Sequence, residues 1–346
     1  MALAAAVLLA MSREARFVVR AGWEEGRILL RRQPLTKLVA DTTVSPARRA
    51  AFRLVLDARA YGRDSLGLKP DGTFTTFADV RRDTLLLLLT AAHRNSLTPY
   101  TWWFPIVGRV PYKGYFDPSR AEADATRLVQ RGYDVYVRPA AAFSTLGWFE
   151  DPLLSTALSD DPTIVVETVL HEIAHNTLYV PGHTTFDESF AMFVGFRGAA
   201  AFFSSRGDTA MAHRAAALWR DQLRLGQFYA ELADELRALY RSNLPIEVTL
   251  DRRAEIFARA RDRLRGPLAH ALEVYSGVRL AMQPLNNASV LAAIVYRTRL
   301  GAFDTLFKQE GRDVRRTVAA LAAALDAGGR SEPFLVLDSL VGEARQ

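Results

Sequence analysis

An H-E-x-x-H motif inside an apolar segment limits most strongly what this chain can fold into. His171, Glu172 and His175 are flanked by Ile164, Val165, Val166, Val169, Leu170, Ile173 and Ala174. On a helix the two histidines lie one turn apart on the same face. Because the apolar neighbours indicate a largely buried helix, the imidazoles and the glutamate need partners. The motif therefore predicts a zinc site, with Glu172 accepting a proton from an activated water. Two surface histidines on a solvated helix are the alternative.

A catalytic zinc site also needs a third protein ligand and an open position. The metzincin continuation would place a glycine and a histidine where this chain has Leu178 and Pro181. His183 and Glu188 remain as candidates. Glu188 lies in Asp-Glu-Ser-Phe-Ala, which resembles the Asn-Glu-x-Phe-Ala stretch of the thermolysin-like zinc aminopeptidases, the gluzincins. That resemblance implies that Glu188 is the third ligand.

Glu188 has a second interpretation as a helix cap. Thr185-x-x-Glu188 fits a capping box, in which the glutamate folds back onto the start of its helix and would point away from a metal. The interval between His175 and Glu188 is also shorter than is usual in gluzincins. The turn at Pro181-Gly182 must therefore be tight.

The composition is that of an ordinary globular protein. Of 346 residues, 49% are hydrophobic and 24% charged, and this length suits one large domain with two lobes or two domains. The net charge of +6 arises from arginines interleaved with acids, so we expect no nucleic-acid partner. A basic surface could still hold the protein near an anionic membrane. There is no cysteine, which excludes disulfides, thiolate metal ligands and a thiol nucleophile.

The N-terminus carries an apolar run, Ala2 to Met11, that is too short to span a membrane. It resembles the hydrophobic part of a secretion signal but lacks a preceding basic region. We expect a degenerate signal or anchor within residues 1–20, with a short helical turn as the alternative.

The order of patterns predicts an α+β fold that is predominantly helical. Helices are expected over Phe17–Leu30 and from Pro46 to about Ser65, then a strand-rich stretch between Thr84 and Phe116, a helix from Pro118 to near Gly132, and a strand at Tyr133–Val137. The motif helix should run from about Pro162 to Tyr179, with a second helix from about Thr185, and further helices over 212–241, 250–275, 287–309 and 312–327. We expect a zincin-like catalytic core with a small mixed sheet in a lobe at 21–200, and a helical lobe at 201–346.

Several segments together resemble the bacterial "putative aminopeptidase" family. They are Trp103–Gly108, Val110–Phe116, Gly132–Tyr136, Ser144–Phe149 and Pro284–Ala288, in addition to the two parts of the motif. The resemblance covers about residues 20–325. It implies a zinc-dependent peptidase, an aminopeptidase by the family's name, located in the cell envelope or periplasm. The chain departs from the family at Trp103 and Arg109, where cysteines are expected, and it has no cysteine for a lipid anchor.

The gluzincin resemblance implies one zinc ion per chain and a donor for the oxyanion, usually tyrosine or histidine. Tyr229, Tyr240 and Tyr296 are the candidates, each of them also a reasonable core or surface aromatic. Tyr296 is preferred because it closely follows the family-like Asn286-Asn287.

Substrate contacts are expected just before the motif helix. Zincins pair the peptide backbone with an edge strand, and Phe143–Phe149, which contains Leu146 and Gly147, is the best-placed candidate. Glu150 would then meet the free α-amine, with a solvated loop acid as its alternative. Glu167, one turn before His171, is either an acceptor that orients this ligand or a solvent-exposed acid.

Three functions are compatible with these residues. The first is a zinc aminopeptidase, which acts on a peptide substrate. The second is an endopeptidase, which would lack an anchor for the terminal amine. The third is a catalytically idle, zinc-stabilised envelope or interaction protein. Glu172 argues against the third, because a purely structural zinc site would not require a general base.

Overall fold

The computed structural model describes residues 26–82, 84–104, 108–140 and 152–342. Its fold is α+β and predominantly helical, as the sequence predicts. The expected signal or anchor in residues 1–20 lies outside the described residues, as does the candidate substrate strand Phe143–Phe149. Among the described residues, no helix is long and apolar enough to cross a membrane.

In the N-terminal part, the helix after Ser45 has the bounds that its N-cap and first-turn proline predict. Residues 26–31 are helical, followed by strand β1 (Gln33–Pro34), helix α1 (Leu35–Ala40) and helix α2 (Pro46–Asp64). Ser45 caps α2 by accepting a hydrogen bond from the Arg48 backbone N–H, with Pro46 at the first helical position. The predicted bounds of α2 are therefore confirmed.

The strands form three small sheets. β2 (Thr76–Ala78) pairs antiparallel with β1 and parallel with β8 (Leu153–Leu154). β3 (Leu86–His93) lies between β6 (Tyr112–Tyr115) and β7 (Tyr133–Ala140) in an antiparallel sheet. β4 (Trp102–Phe104) pairs with β5 (Gly108–Val110). Helix α3 (Pro118–Gln130) covers one face of the β6-β3-β7 sheet.

Two long helices carry the motif and the residues that follow it. They are α4 (Pro162–Thr177) and α5 (Thr184–Ser205). Asp161 caps α4 by accepting from the Thr163 backbone N–H, with Pro162 at the first position. Both helices lie inside the largest apolar core, and α4 is mostly buried, as its flanking residues predict. The motif therefore sits on a rigid element.

The remainder is helical, with more breaks than the periodicity predicts. The helices are α6 (Thr209–Tyr240), α7 (Ile246–Arg265), α8 (Pro267–Ala271), α9 (Gly277–Met282), α10 (Asn287–Arg297), α11 (Leu300–Gln309), α12 (Val314–Gly328) and α13 (Pro333–Val341). The expected helix 250–275 divides at Gly266-Pro267, and the expected helix 287–309 divides at Arg299, whose φ is +57°. The Thr298 backbone N–H, at the second break, donates to Ser189 Oγ on α5. A contact between residues distant in sequence thus stabilises the end of α10, where helix propensity alone would have continued the helix.

Candidate metal centre

The two motif histidines and Glu188 converge at one point. His171 Nε2 lies 3.3 Å from Glu188 Oε2, and His175 Nε2 lies 3.8 Å from the same oxygen. One ligand atom from each residue falls within 4.8 Å of the others, and this is the only such group among the described residues. A tetrahedral ion with bonds of about 2.1 Å would hold its donors about 3.4 Å apart. The spacing and the two-nitrogen, one-oxygen donor set therefore fit zinc.

The turn between α4 and α5 brings Glu188 to the histidines. Gly182 has a φ of +86°, a left-handed conformation that favours glycine. Asp187, buried beside Glu188, accepts a hydrogen bond from the Val180 backbone N–H at 2.9 Å. This bond closes the turn and sets the angle at which α5 begins. The tight Pro181-Gly182 turn is therefore confirmed.

Two features bear on the capping role considered for Glu188 and on His183 as the other candidate ligand. Helix α5 begins after His183, and no side chain caps its first turn, so the Thr185–Glu188 capping box is absent. His183 is not a member of the group formed by His171, His175 and Glu188. The Glu188 carboxylate faces the imidazoles instead of its own helix start.

Burial and charge give the cluster unusual proton affinities. Burial acts to lower the pKa of His171, but the hydrogen bond with Glu188 and the charges of Glu172 and Glu167 raise it to about 9. Burial and the neighbouring His171 lower the pKa of His175 to about 4. For Glu188, burial acts to raise the pKa, yet the interactions with both histidines outweigh it and lower the pKa. The two imidazoles are therefore shifted in opposite directions, because His171 is closest to the carboxylates and His175 lies next to His171.

Glu167 lies behind His171, on the side of its second ring nitrogen. Its Oε1 is 3.8 Å from His171 Nδ1, while His171 Nε2 faces Glu188. Glu167 is buried, so the solvent-exposed alternative for this residue is wrong. This burial raises the pKa of Glu167 to about 7. A Cβ at Gly195 of α5 would lie 3.0 Å from Glu167 Oε1, so this glycine lets the two helices approach closely.

The three candidate tyrosines lie in different surroundings. Tyr240 donates a hydrogen bond to Asn287 Oδ1 at 2.8 Å, at a junction with the β6-β3-β7 sheet. Burial raises the pKa of Tyr229, whose other electrostatic neighbours are Arg297 and Tyr136. Burial also raises the pKa of Tyr296, and the charges of Glu188 and Glu172 raise it further. Of the three, Tyr296 is the one that borders the acids of the centre.

The structure also adds residues that sequence reasoning missed. Arg138 on β7 lies with its guanidinium carbon 5.7 Å from the centre of the Tyr296 ring. Tyr275 accepts a hydrogen bond from Gln222 Nε2 at 2.9 Å, and Glu167 is among its electrostatic neighbours. The alternation of β7 signals that Tyr136 and Arg138 share a face, but no local pattern connects that face with the motif helix.

The remaining candidates for substrate contact belong to the segment just before the motif helix. Leu146, Gly147 and Glu150 lie in 141–151, outside the described residues. The predicted strand addition and the predicted amine anchor therefore stay predictions.

Comparison with known families gives a match over most of the chain. A family model described as "Putative aminopeptidase" matches residues 16–332, a range that includes both histidines, Glu172 and Glu188. No curated protein and no solved structure matches the chain.

Proposed function

The chain belongs to the "putative aminopeptidase" family, and from this we propose that it is a zinc-dependent aminopeptidase of the gluzincin type with a zincin-like core. Family membership suggests peptidase activity. The metal, the mechanism and the cleavage of N-terminal residues are the proposal. The observation that carries it is the convergence of His171, His175 and Glu188 beside Glu172 on a buried helix.

His171, His175 and Glu188 would hold the ion, leaving a fourth position for water or substrate. When bound, zinc supplies a Lewis acid that polarises the scissile carbonyl and makes water nucleophilic. Glu172 follows His171 directly on the helix, so its side chain leaves the ligand face and can accept the proton of the attacking water. It then delivers this proton to the leaving amine.

Two further residues assist in this scheme. Tyr296, near Glu172 and Glu188, would donate a hydrogen bond to the oxygen that becomes negative in the transition state. Glu167 would fix the orientation of His171 through its Nδ1. Both roles use side chains held by helices of the core.

An aminopeptidase must also recognise a free α-amine. We propose Glu150 for this contact, on a segment containing Leu146 and Gly147 along which the peptide backbone pairs. Replacing Glu150 by Gln should abolish the preference for a free N-terminus while leaving zinc binding intact. An unchanged preference would remove Glu150 from the proposal.

Hydrolysis of matched peptides with free and acetylated N-termini tests the function. The zinc-loaded protein should cleave the free peptides one residue from the N-terminus, and both chelation and Glu172→Gln should abolish cleavage. Cleavage of acetylated peptides at internal bonds would identify an endopeptidase. Zinc binding with no cleavage of any peptide would identify a non-catalytic protein and overturn the proposal.

A further inference from the structure

Arg138 occupies the face of the β6-β3-β7 sheet that is turned toward the metal centre. Along β7, Tyr133, Val135 and Val137 pack with α3 on the opposite face. Because side chains alternate along a strand, Arg138 points to the other face, where helix α10 packs against β3 and β7. Its guanidinium carbon lies 5.7 Å from the ring centre of Tyr296, on α10.

Within the described part of the chain, no carboxylate lies close enough to Arg138 to form an ion pair with it. Among the residues that the structure describes, Arg138 has no ion pair within 4.0 Å. Two other half-buried arginines do pair with carboxylates, Arg197 with Asp304 and Arg253 with Asp134. A third, Arg297, is hydrogen-bonded to neutral acceptors, the Gln222 side chain and the Ala293 carbonyl. The charge of Arg138 does help to lower the pKa of Glu188, but a metal would occupy that carboxylate. A half-buried guanidinium has lost part of its hydration, and a neighbouring anion would offset that loss of free energy. The position of Arg138 therefore favours the binding of an anionic ligand.

We propose that Arg138 binds a carboxylate of the substrate and thereby selects peptides that carry an anionic group near the scissile bond. This inference rests on the proposed peptidase function. A planar guanidinium matches a carboxylate with two parallel hydrogen bonds, which gives both affinity and orientation. The carboxylate is either the C-terminus of a short peptide or an Asp or Glu side chain.

A simpler role would be to hold the ring of Tyr296 in place. In that case the loss of Arg138 would slow the chemical step equally for every substrate. Carboxylate recognition instead predicts a loss that depends on the substrate and falls mainly on KM. Arg131 offers a matched control, because its guanidinium carbon lies 5.7 Å from the ring centre of Tyr133, on the opposite face of the same sheet.

The first experiment compares kcat/KM for trialanine, trialanine amide, and two tripeptide amides that differ only in Glu or Gln beside the scissile bond. We expect the zinc-loaded enzyme to prefer one acid over its neutral partner, which identifies the source of the carboxylate. Arg138→Gln should lower kcat/KM for that acid by about 10- to 100-fold and spare the neutral partner. Arg131→Gln should change neither. An equal loss on all four substrates, or no acid preference in the wild type, would overturn the proposal.

The second experiment measures binding without turnover. Titration calorimetry of the zinc-loaded Glu172→Gln protein with the same four peptides should show the same acid preference, and adding Arg138→Gln should remove it. If the wild type cleaves no peptide but this preference depends on Arg138, the peptidase function fails and the carboxylate site stands. Equal affinity for acid and neutral peptide, with or without Arg138, would overturn the carboxylate site whatever the activity.

Discussion

At the scale of single residues, the surroundings of Tyr296 supply a physical reason to prefer it as the oxyanion donor. The motif could not distinguish Tyr229, Tyr240 and Tyr296, since each lies in a helical segment far from His171 in sequence. The fold separates them by position. The Tyr240 hydroxyl bonds Asn287 at a junction with the sheet, whereas Tyr296, which is hydrogen-bonded to Arg138, borders the charges of Glu188 and Glu172.

Removing the Tyr296 hydroxyl should therefore slow the reaction without loss of metal. We expect Tyr296→Phe to lower kcat by about 100-fold, the usual effect of losing one oxyanion donor. Tyr229→Phe, at a half-buried tyrosine that has neither Glu188 nor Glu172 among its electrostatic neighbours, should leave kcat within about twofold. Steady-state kinetics with equal zinc loading checks both, and an unchanged kcat in Tyr296→Phe would eliminate it as the donor.

Proton release should accompany zinc binding. The pKa of His171 is raised to about 9 in the metal-free protein, whereas that of His175 is lowered to about 4. At about pH 7.5, His171 must therefore lose a proton to ligate zinc, and His175 need not. Calorimetry in two buffers of different ionisation enthalpy should give about one proton released per zinc, with affinity falling as the pH is lowered.

The sign of this linkage also predicts the behaviour of the metal-free protein. Because the folded pKa of His171 exceeds its ordinary value of 6.5, its contribution to the free energy of unfolding is complete below about pH 6.5 and is lost as pH rises through about 9. Urea unfolding of the metal-free protein should show this alkaline loss, and His171→Ala should remove it. An unfolding free energy that does not fall between about pH 6.5 and 9, or zinc binding without proton release in the calorimetry above, would contradict the raised pKa of His171.

At the scale of elements, the centre depends on how closely α5 packs on α4. A Cβ at Gly195 would lie 3.0 Å from both the backbone oxygen and Oε1 of Glu167. Gly195→Ala should therefore displace the acid behind His171 and weaken zinc binding by about 10- to 100-fold. Competition with a chromophoric chelator measures this affinity.

Gly198, one turn further along α5, provides the matched control. A Cβ there would lie 2.8 Å from Leu170 Cδ1, so Gly198→Ala overpacks the same helix contact without touching Glu167. It should lower the free energy of unfolding by about 1–3 kcal/mol and leave the zinc affinity of the folded protein unchanged. Equal zinc affinities in the two variants would show that Glu167 does not support His171.

Elements with strong local signals could be predicted from the sequence, and elements set by tertiary contacts could not. Ser45-Pro46 and Asp161-Pro162 place the starts of α2 and α4 correctly because the cap is local chemistry. The break before α11 could not be predicted, since it involves a hydrogen bond from Thr298 to Ser189 on a distant helix.

At the scale of the whole molecule, the site joins a short linear motif to a sheet and a helix that are remote in sequence. His171, Glu172, His175 and Glu188 lie within two consecutive helices, so their grouping could be predicted. Arg138 and Tyr296 reach the centre only because α10 packs on the β6-β3-β7 sheet. The hydrophobic periodicity of a single sequence predicts helices and strands, but it does not predict which remote segments pack together.

The zinc content of the purified protein tests the central claim most directly. Elemental analysis should find about one zinc per chain in the wild type and in Glu172→Gln, and less than about one-tenth in His171→Ala, His175→Ala and Glu188→Ala. His183→Ala, at the candidate ligand that lies outside the cluster, should keep the full content. A wild type without zinc after incubation with the metal, or a Glu188→Ala variant that retains it while His183→Ala loses it, would contradict the account.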